Sequence, residues 1–127
     1  MLYLALRHSH IGLSALATIT TLLWVVMAWR KTGSGVQLLP KWLRITYAVN
    51  SVTVGLAGLT GLWLTLIGPW HLFLFPYLGL AGLCLHEVFA GFAKRAYLQG
   101  RLKLRWPLAA QAVCILGISW LMSVKIV

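Results

Sequence analysis

Residues 2–29 read LYLALRHSHIGLSALATITTLLWVVMAW, and whether this run is a cleaved leader or a retained membrane span decides the fold. Ala15-Leu16-Ala17 offers the small-x-small pattern of a leader cleavage site. The apolar run does not stop there, however. It continues through Leu22, Leu23, Trp24, Val25, Val26, Met27 and Ala28, beyond the about 7 to 15 apolar residues of a secretory leader, and no basic segment precedes it. The expectation is a retained transmembrane helix over residues 2–29.

Crossing the hydrocarbon layer takes about 20 apolar residues at 1.5 Å rise, and the chain supplies three more such runs. Residues 45–67 form the second, closed by Gly68-Pro69, which does not continue a helix comfortably. The third covers residues 72–93, with Pro76 marking a kink or its true start. The fourth covers residues 107–124, with Pro107 in the first turn, where a helix tolerates proline best. The fold class is therefore all-α: a polytopic membrane protein whose four transmembrane helices form an up-down bundle in one domain.

Composition agrees. Of 127 residues, 61% are hydrophobic and 9% charged, against about 25% charged in an ordinary soluble domain. Eleven basic side chains face a single acid, for a net charge of +10. A nucleic-acid binder lays such charge along a hydrophilic face. Here it is clustered between apolar runs, so no nucleic-acid partner is expected.

The clusters set an orientation. The first connection holds Arg30, Lys31, Lys41 and Arg44, the third holds Lys94, Arg95, Arg101, Lys103 and Arg105, and the second holds none. Basic loops stay in the cytoplasm, so both termini are expected outside, in a bacterial inner membrane. The stretch from Lys94 to Trp106 alternates basic and apolar residues, a pattern suited to anionic lipid headgroups and equally to a solvated turn. Trp29, Trp42, Trp63, Trp70, Trp106 and Trp120 fall near helix ends, as an interfacial belt requires. Lys41-Trp42-Leu43-Arg44 and Lys103-Leu104-Arg105-Trp106 occupy equivalent places, either a trace of a duplicated hairpin or convergence on the positive-inside pattern. Cys84 and Cys114 lie in apolar runs and read as small buried hydrophobes.

Helices in lipid pack through small residues. Ser51 with Gly55, Ala57 with Gly61, and Gly58, Gly79, Gly82 and Gly117 are the expected points of close approach.

Chemistry at depth has few carriers. Towards the outer side stand His8, Ser9, His10, Ser14 and His71. His8 and His10 are about 200° apart on a helix, so one of them points away from the interior. Towards the inner side Thr20 or Thr21, Asn50, Ser51, His86, Glu87 and Gln111 come to similar depth. Paired histidines on facing helices hold b-type haem, and the pair available as iron ligands is His10 or His8 with His71. No second histidine lies at the depth of His86. A quinone held between helices by His or Asn fits as well, and a lone histidine also serves as a packing residue. No phosphate loop, nucleophile elbow, paired carboxylates or H-E-x-x-H is present. With one acid in the chain, hydrolytic acid-base catalysis is nearly excluded.

Tyr3-Leu4-Ala5-Leu6-Arg7-His8-Ser9-His10, Leu38-Leu39-Pro40-Lys41-Trp42-Leu43-Arg44 and a glycine-rich third helix ending in Ala93-Lys94-Arg95 together resemble the SirB-type proteins, small four-helix membrane proteins named for up-regulating invasion genes. The resemblance spans nearly the whole chain. A basic residue followed three positions later by His maps onto Arg7 and His10, which places His10 ahead of His8 as the site histidine. The Pro-His and Asp-Thr of the family's second helix fall at Tyr47-Ala48 and Asn50-Ser51, and its lysine early in the third helix has no counterpart among Leu72 to Phe75. The function expected is an accessory or cofactor-associated component of a membrane redox system, in electron transport. Haem b or quinone would be its cofactor, with His10, His8, His71, His86, Asn50 and Glu87 as candidate binding residues. The alternative is a non-catalytic structural or assembly subunit packed against a larger membrane complex or a second copy; an enzyme in its own right comes third.

Overall fold

The computed structural model describes residues 1–31, 38–100 and 105–124. Of the residues weighed above, Arg101, Lys103 and Leu104 lie outside the described residues, as do Ser34 and Lys125. Helix is the outcome that the composition forces, because a span in lipid must satisfy every backbone N–H and C=O internally. Four helices form: α1, Leu2–Lys31; α2, Lys41–Ile67; α3, Phe75–Leu98; and α4, Trp106–Val124. All four are long and apolar enough to cross a membrane.

Their ends depart from the expected limits for local reasons. Helix α2 begins at Lys41, not at residue 45. Pro40, at φ −59°, needs no hydrogen-bond acceptor of its own, and its carbonyl accepts the Arg44 N–H at 2.9 Å. Lys41 and Arg44 are thus exposed on the first turn of a helix and not in a loop, with stems that let their charges reach the interface. Helix α3 starts at Phe75 and not at residue 72, because Pro76 belongs in a first turn; Pro69–Leu72 instead form a short 3-10 turn. At its other end α3 runs on to Leu98, carrying Lys94 and Arg95 within its last turns, and closes at Gly100, whose φ of 65° favours glycine. Pro107 occupies the first turn of α4 as expected.

Burial is inverted relative to a soluble protein. Leu59 is 64% exposed and Val113 70%, whereas Thr21, His86 and Gln111 are fully buried. An apolar exterior costs nothing in lipid, while polar groups are driven inward to find partners. Trp42, Trp63, Trp106 and Trp120 are exposed, and Trp24, within the apolar run of α1, is fully buried.

The packing is densest between α1 and α2 and between α3 and α4, and sparse between α2 and α3. Thr20 meets Thr53, and Met27 meets Thr46. Towards one end Trp24, Ala28, Leu43, Ala93, Tyr97 and Leu108, drawn from all four helices, form one apolar cluster. Lys94 lies over the Tyr47 ring at 4.8 Å and Arg105 over Trp29 at 4.9 Å.

The expected close approaches divide into two groups. A methyl group on Gly79 would overlap the Met122 terminus, and one on Gly82 would lie 2.8 Å from Ile118. Gly55 and Gly117, by contrast, face open space, so they do not serve packing within this chain. Both cysteines are free, and Cys84 is exposed instead of buried.

Leu43, fully buried in the four-helix cluster, provides a test of the packing. Leu43→Ala should cost about 2–5 kcal/mol in reversible unfolding from detergent micelles, while Leu59→Ala, on the lipid face, should cost less than about 0.5 kcal/mol.

Candidate functional site

The polar residues separate into two layers. The deeper one is a closed hydrogen-bond network with members from every helix. From α1, the Trp24 indole donates to Gln111 Oε1 on α4 at 3.1 Å. Gln111 Nε2 lies 3.4 Å and Thr21 Oγ1 3.0 Å from His86 Nε2 on α3. From α2, Asn50 Nδ2 shares its two hydrogens among three acceptors, Thr21 Oγ1 at 2.7 Å, Thr20 Oγ1 at 3.0 Å and the Ala17 carbonyl at 3.1 Å. Thr53 adds a contact to Thr20 at 3.5 Å.

Donor chemistry fixes the direction of this chain. An indole N–H can only donate, so the oxygen of Gln111 faces Trp24 and its NH₂ faces His86. His86 Nε2 is then an acceptor, and Thr21, which accepts from Asn50, passes its own hydrogen to the same ring nitrogen. The ring hydrogen of His86 therefore sits on Nδ1, and it points at Glu87 Oε1, 3.2 Å away. His86 is fully buried while the Glu87 side chain is 38% exposed, the divergence that their about 100° separation on the helix demands. Among the described residues Asn50 Oδ1 is the one buried side-chain polar atom without a partner.

The second layer is a cavity of about 420 Å³ at the end that carries Tyr3, Trp70 and Phe75, within the range of about 300–1,000 Å³ typical of small-molecule sites. All four helices line it with mostly apolar side chains; Arg7, His10, Ser14, Thr18 and Ser119 are polar members of its wall. His10 is half-buried there, with Nδ1 3.0 Å from Thr60 Oγ1. The single Thr60 hydroxyl hydrogen is directed at the Leu56 and Ala57 carbonyls, 2.9 and 3.1 Å away, so His10 Nδ1 donates and its Nε2 keeps a lone pair. A side chain on Gly61 would lie 2.9 Å from the ring: glycine at this position is the seat on which the imidazole lies. Across the rim, Trp70 donates to the Tyr3 hydroxyl at 2.7 Å.

The residues singled out from the sequence are thus distributed as follows. His86, Asn50 and Gln111 come together with Thr20 and Thr21, and Glu87 adjoins them from outside. Ser51 is only half-buried. His10 and His8 diverge: the first faces the cavity and the second is exposed. His71 is exposed in the 3-10 turn, its Nδ1 3.0 Å from the Gly68 carbonyl, and does not line the cavity. Among the described residues no three His, Cys, Asp or Glu side chains cluster as a metal site would require.

Thr53, Thr18, Ser119, Thr60 and Trp24 were not singled out from the sequence. Thr60 carried no signal, since threonine is common in membrane helices. Trp24 carried one: alone among seven tryptophans it sits in the middle of an apolar run, where its N–H must find a partner.

Comparison of the chain with family models, with curated proteins and with solved structures found no match.

The network predicts a modest, additive energetics. Interhelical hydrogen bonds in membranes contribute about 0.6 kcal/mol on average and at most about 1.7, so Asn50→Ala should destabilise the bundle by roughly 1–2 kcal/mol in steric-trap or detergent unfolding without changing its helix content.

Proposed function

We propose that this chain is an accessory component of a membrane redox system that holds a small ligand of the quinone or hydroquinone class in the cavity beside His10. The observation that carries this reading is the placement of His10 in the cavity wall: its Nδ1 lies 3.0 Å from Thr60 Oγ1, and donor chemistry assigns the ring hydrogen to that nitrogen, which leaves Nε2 with a lone pair. A hydroquinone O–H can donate to that nitrogen while its ring and tail fill apolar space, the arrangement usual for such ligands.

Haem between two histidines has less support. Both ring nitrogens of His86 are engaged, and His71 does not line the cavity that His10 faces. The Asn50 amide nitrogen and Gln111 are likewise engaged within the network. One observation favours the second reading, a structural or assembly subunit: Gly55, Gly91 and Gly117 leave open space on outward surfaces, where helices of a larger complex or of a second copy would fit closely.

The setting proposed is a bacterial inner membrane, crossed four times by an up-down bundle with both termini outside. The falling order of partners, Tyr3 with Trp70, His10 with Thr60, Thr20 with Thr53 and Met27 with Thr46, supports opposed directions for α1 and α2. The basic helix ends would then meet anionic lipid on the cytoplasmic side. The resemblance to SirB-type proteins is consistent with this setting.

Two measurements test these proposals. Cysteines placed at Ser34 and Gln99 should resist an impermeant thiol reagent in intact cells; labelling from outside would reverse the orientation. For the ligand, a short-chain quinone should bind the purified protein in nanodiscs. His10→Ala and Gly61→Ala should each weaken it about tenfold or more, the value of one well-placed hydrogen bond to a buried group. Equal binding by all three proteins would overturn the quinone reading, and a Soret band in the purified protein would replace it with haem.

A further inference from the structure

The deeper layer points to something the cavity does not involve. Glu87 is the only acidic side chain in the chain, it sits in the body of a membrane-spanning helix, and its carboxylate meets a hydrogen-bond donor whose presence is decided elsewhere. We propose that Glu87 and His86 form a proton-binding site within the membrane whose occupancy is set from α1 and α4, by Trp24 acting through the Gln111 amide on the tautomer of His86.

Two arrangements of the same side chains differ by one proton. In the first, the one to which the heavy-atom contacts and donor chemistry lead, Trp24 holds the Gln111 oxygen, the Gln111 NH₂ faces His86 Nε2, and His86 Nδ1–H supports a Glu87 carboxylate. In the second, the Gln111 amide is turned over and presents its oxygen to His86. The ring then carries its hydrogen on Nε2, and Nδ1 becomes an acceptor. An ionised Glu87 would face a lone pair, so the carboxyl group takes up a proton and donates to Nδ1. The ring holds one hydrogen in both states, the dyad gains one proton from the medium, and no electrons move. Thr21 does not itself choose between them, since a hydroxyl can either donate to Nε2 or accept from it.

Trp24 is what separates the two states. In the second arrangement the Gln111 NH₂ would confront the indole N–H, two donors without an acceptor in a fully buried site, which is costly. A displacement of Trp24 relative to α4 removes that conflict and loads the proton; loading the proton favours that displacement in return. Trp24 and Gln111 are positioning residues here, and Glu87, whose side chain is 38% exposed on α3, is the group that gains or loses the proton. The other titratable or charged groups on the elements packed around the dyad are Tyr47 on α2, with Lys94 over its ring, and Cys114 on α4, three residues after Gln111 in the chain. Among the described residues helix α1 contributes the neutral Thr21 and Trp24.

A sole acidic side chain makes the test direct. In nanodiscs, nitrogen NMR of isotope-labelled histidine reads the His86 tautomer, assigned with His86→Gln. Infrared difference spectroscopy reads the protonated carboxyl band of Glu87, assigned by its loss in Glu87→Gln. The wild type should show His86 with hydrogen on Nδ1. Trp24→Phe should move that hydrogen to Nε2 and, at the same pH, raise the acid-to-carboxylate ratio of Glu87 roughly ten- to hundredfold, the effect of losing a hydrogen bond to a charged group. Gln111→Met, which leaves only the ambivalent Thr21 at Nε2, should give mixed tautomers and an intermediate ratio, and it serves as the test if Trp24→Phe fails to fold. A wild-type ring with hydrogen on Nε2, or variants in which either the tautomer or the carboxyl band stays at its wild-type position, would overturn the proposal.

Discussion

The hydrogen bond from Trp24 to Gln111 is the contact from which the polar interior takes its direction. Inside a bilayer no water is at hand to correct a wrongly turned amide, so one donor-only group propagates its orientation through every neighbour that can either give or receive. Gln111, His86, Thr21 and Asn50 can each be read two ways in isolation. Together with an indole that can only donate, they have one consistent reading. The network draws on all four helices, so the same bonds that settle the tautomer of His86 also settle which faces of the helices turn inward. They are individually weak. Their weight comes from the cost of the alternatives, which would leave further buried polar groups unpaired beside Asn50 Oδ1.

Packing and polarity divide the work between the two ends of the bundle. Towards the basic helix ends, the Trp24, Leu43, Tyr97 and Leu108 cluster fills the space between the helices. Towards the other end the helices part around a cavity, and the contacts are specific instead of continuous: an imidazole on a glycine, an indole on a phenol. A layer that is filled and cross-linked resists rearrangement, and a layer held open by a few directed contacts can admit a guest. That contrast is the physical basis for proposing ligand binding beside His10.

The sequence was legible where one rule dominates. Four apolar runs of spanning length become four helices, and equal depth from the basic ends is enough to bring Asn50, His86, Glu87 and Gln111 to one level. Helix ends were less legible because two influences compete there: the limit of the apolar run suggested starts at residues 45 and 72, whereas proline chemistry and snorkelling basic side chains set Lys41 and Phe75. The rotational setting of each helix was the least legible. It separates His10 from His8 and turns Cys84 and Gly55 outward, yet it depends on partners such as Thr60 that no local pattern distinguishes from other threonines of the same helix.

That dependence also explains why Gly61 and Gly55, six residues apart on one helix and alike in the sequence, have opposite roles. Gly61 lies on the face of α2 turned to α1, where an imidazole comes too close for any side chain. Gly55 lies on a face with open space before it. Between them the Thr60 hydroxyl is tied back to its own helix at Leu56 and Ala57, and in that position it can only accept from His10. The register of α2 against α1 thus fixes three things at once: where the ring lies, which of its nitrogens carries hydrogen, and which small residue is left facing outward. A rotation of α2 by a single residue, about 100°, would abolish all three, so the tautomer of His10 is a consequence of helix packing and not of the histidine alone.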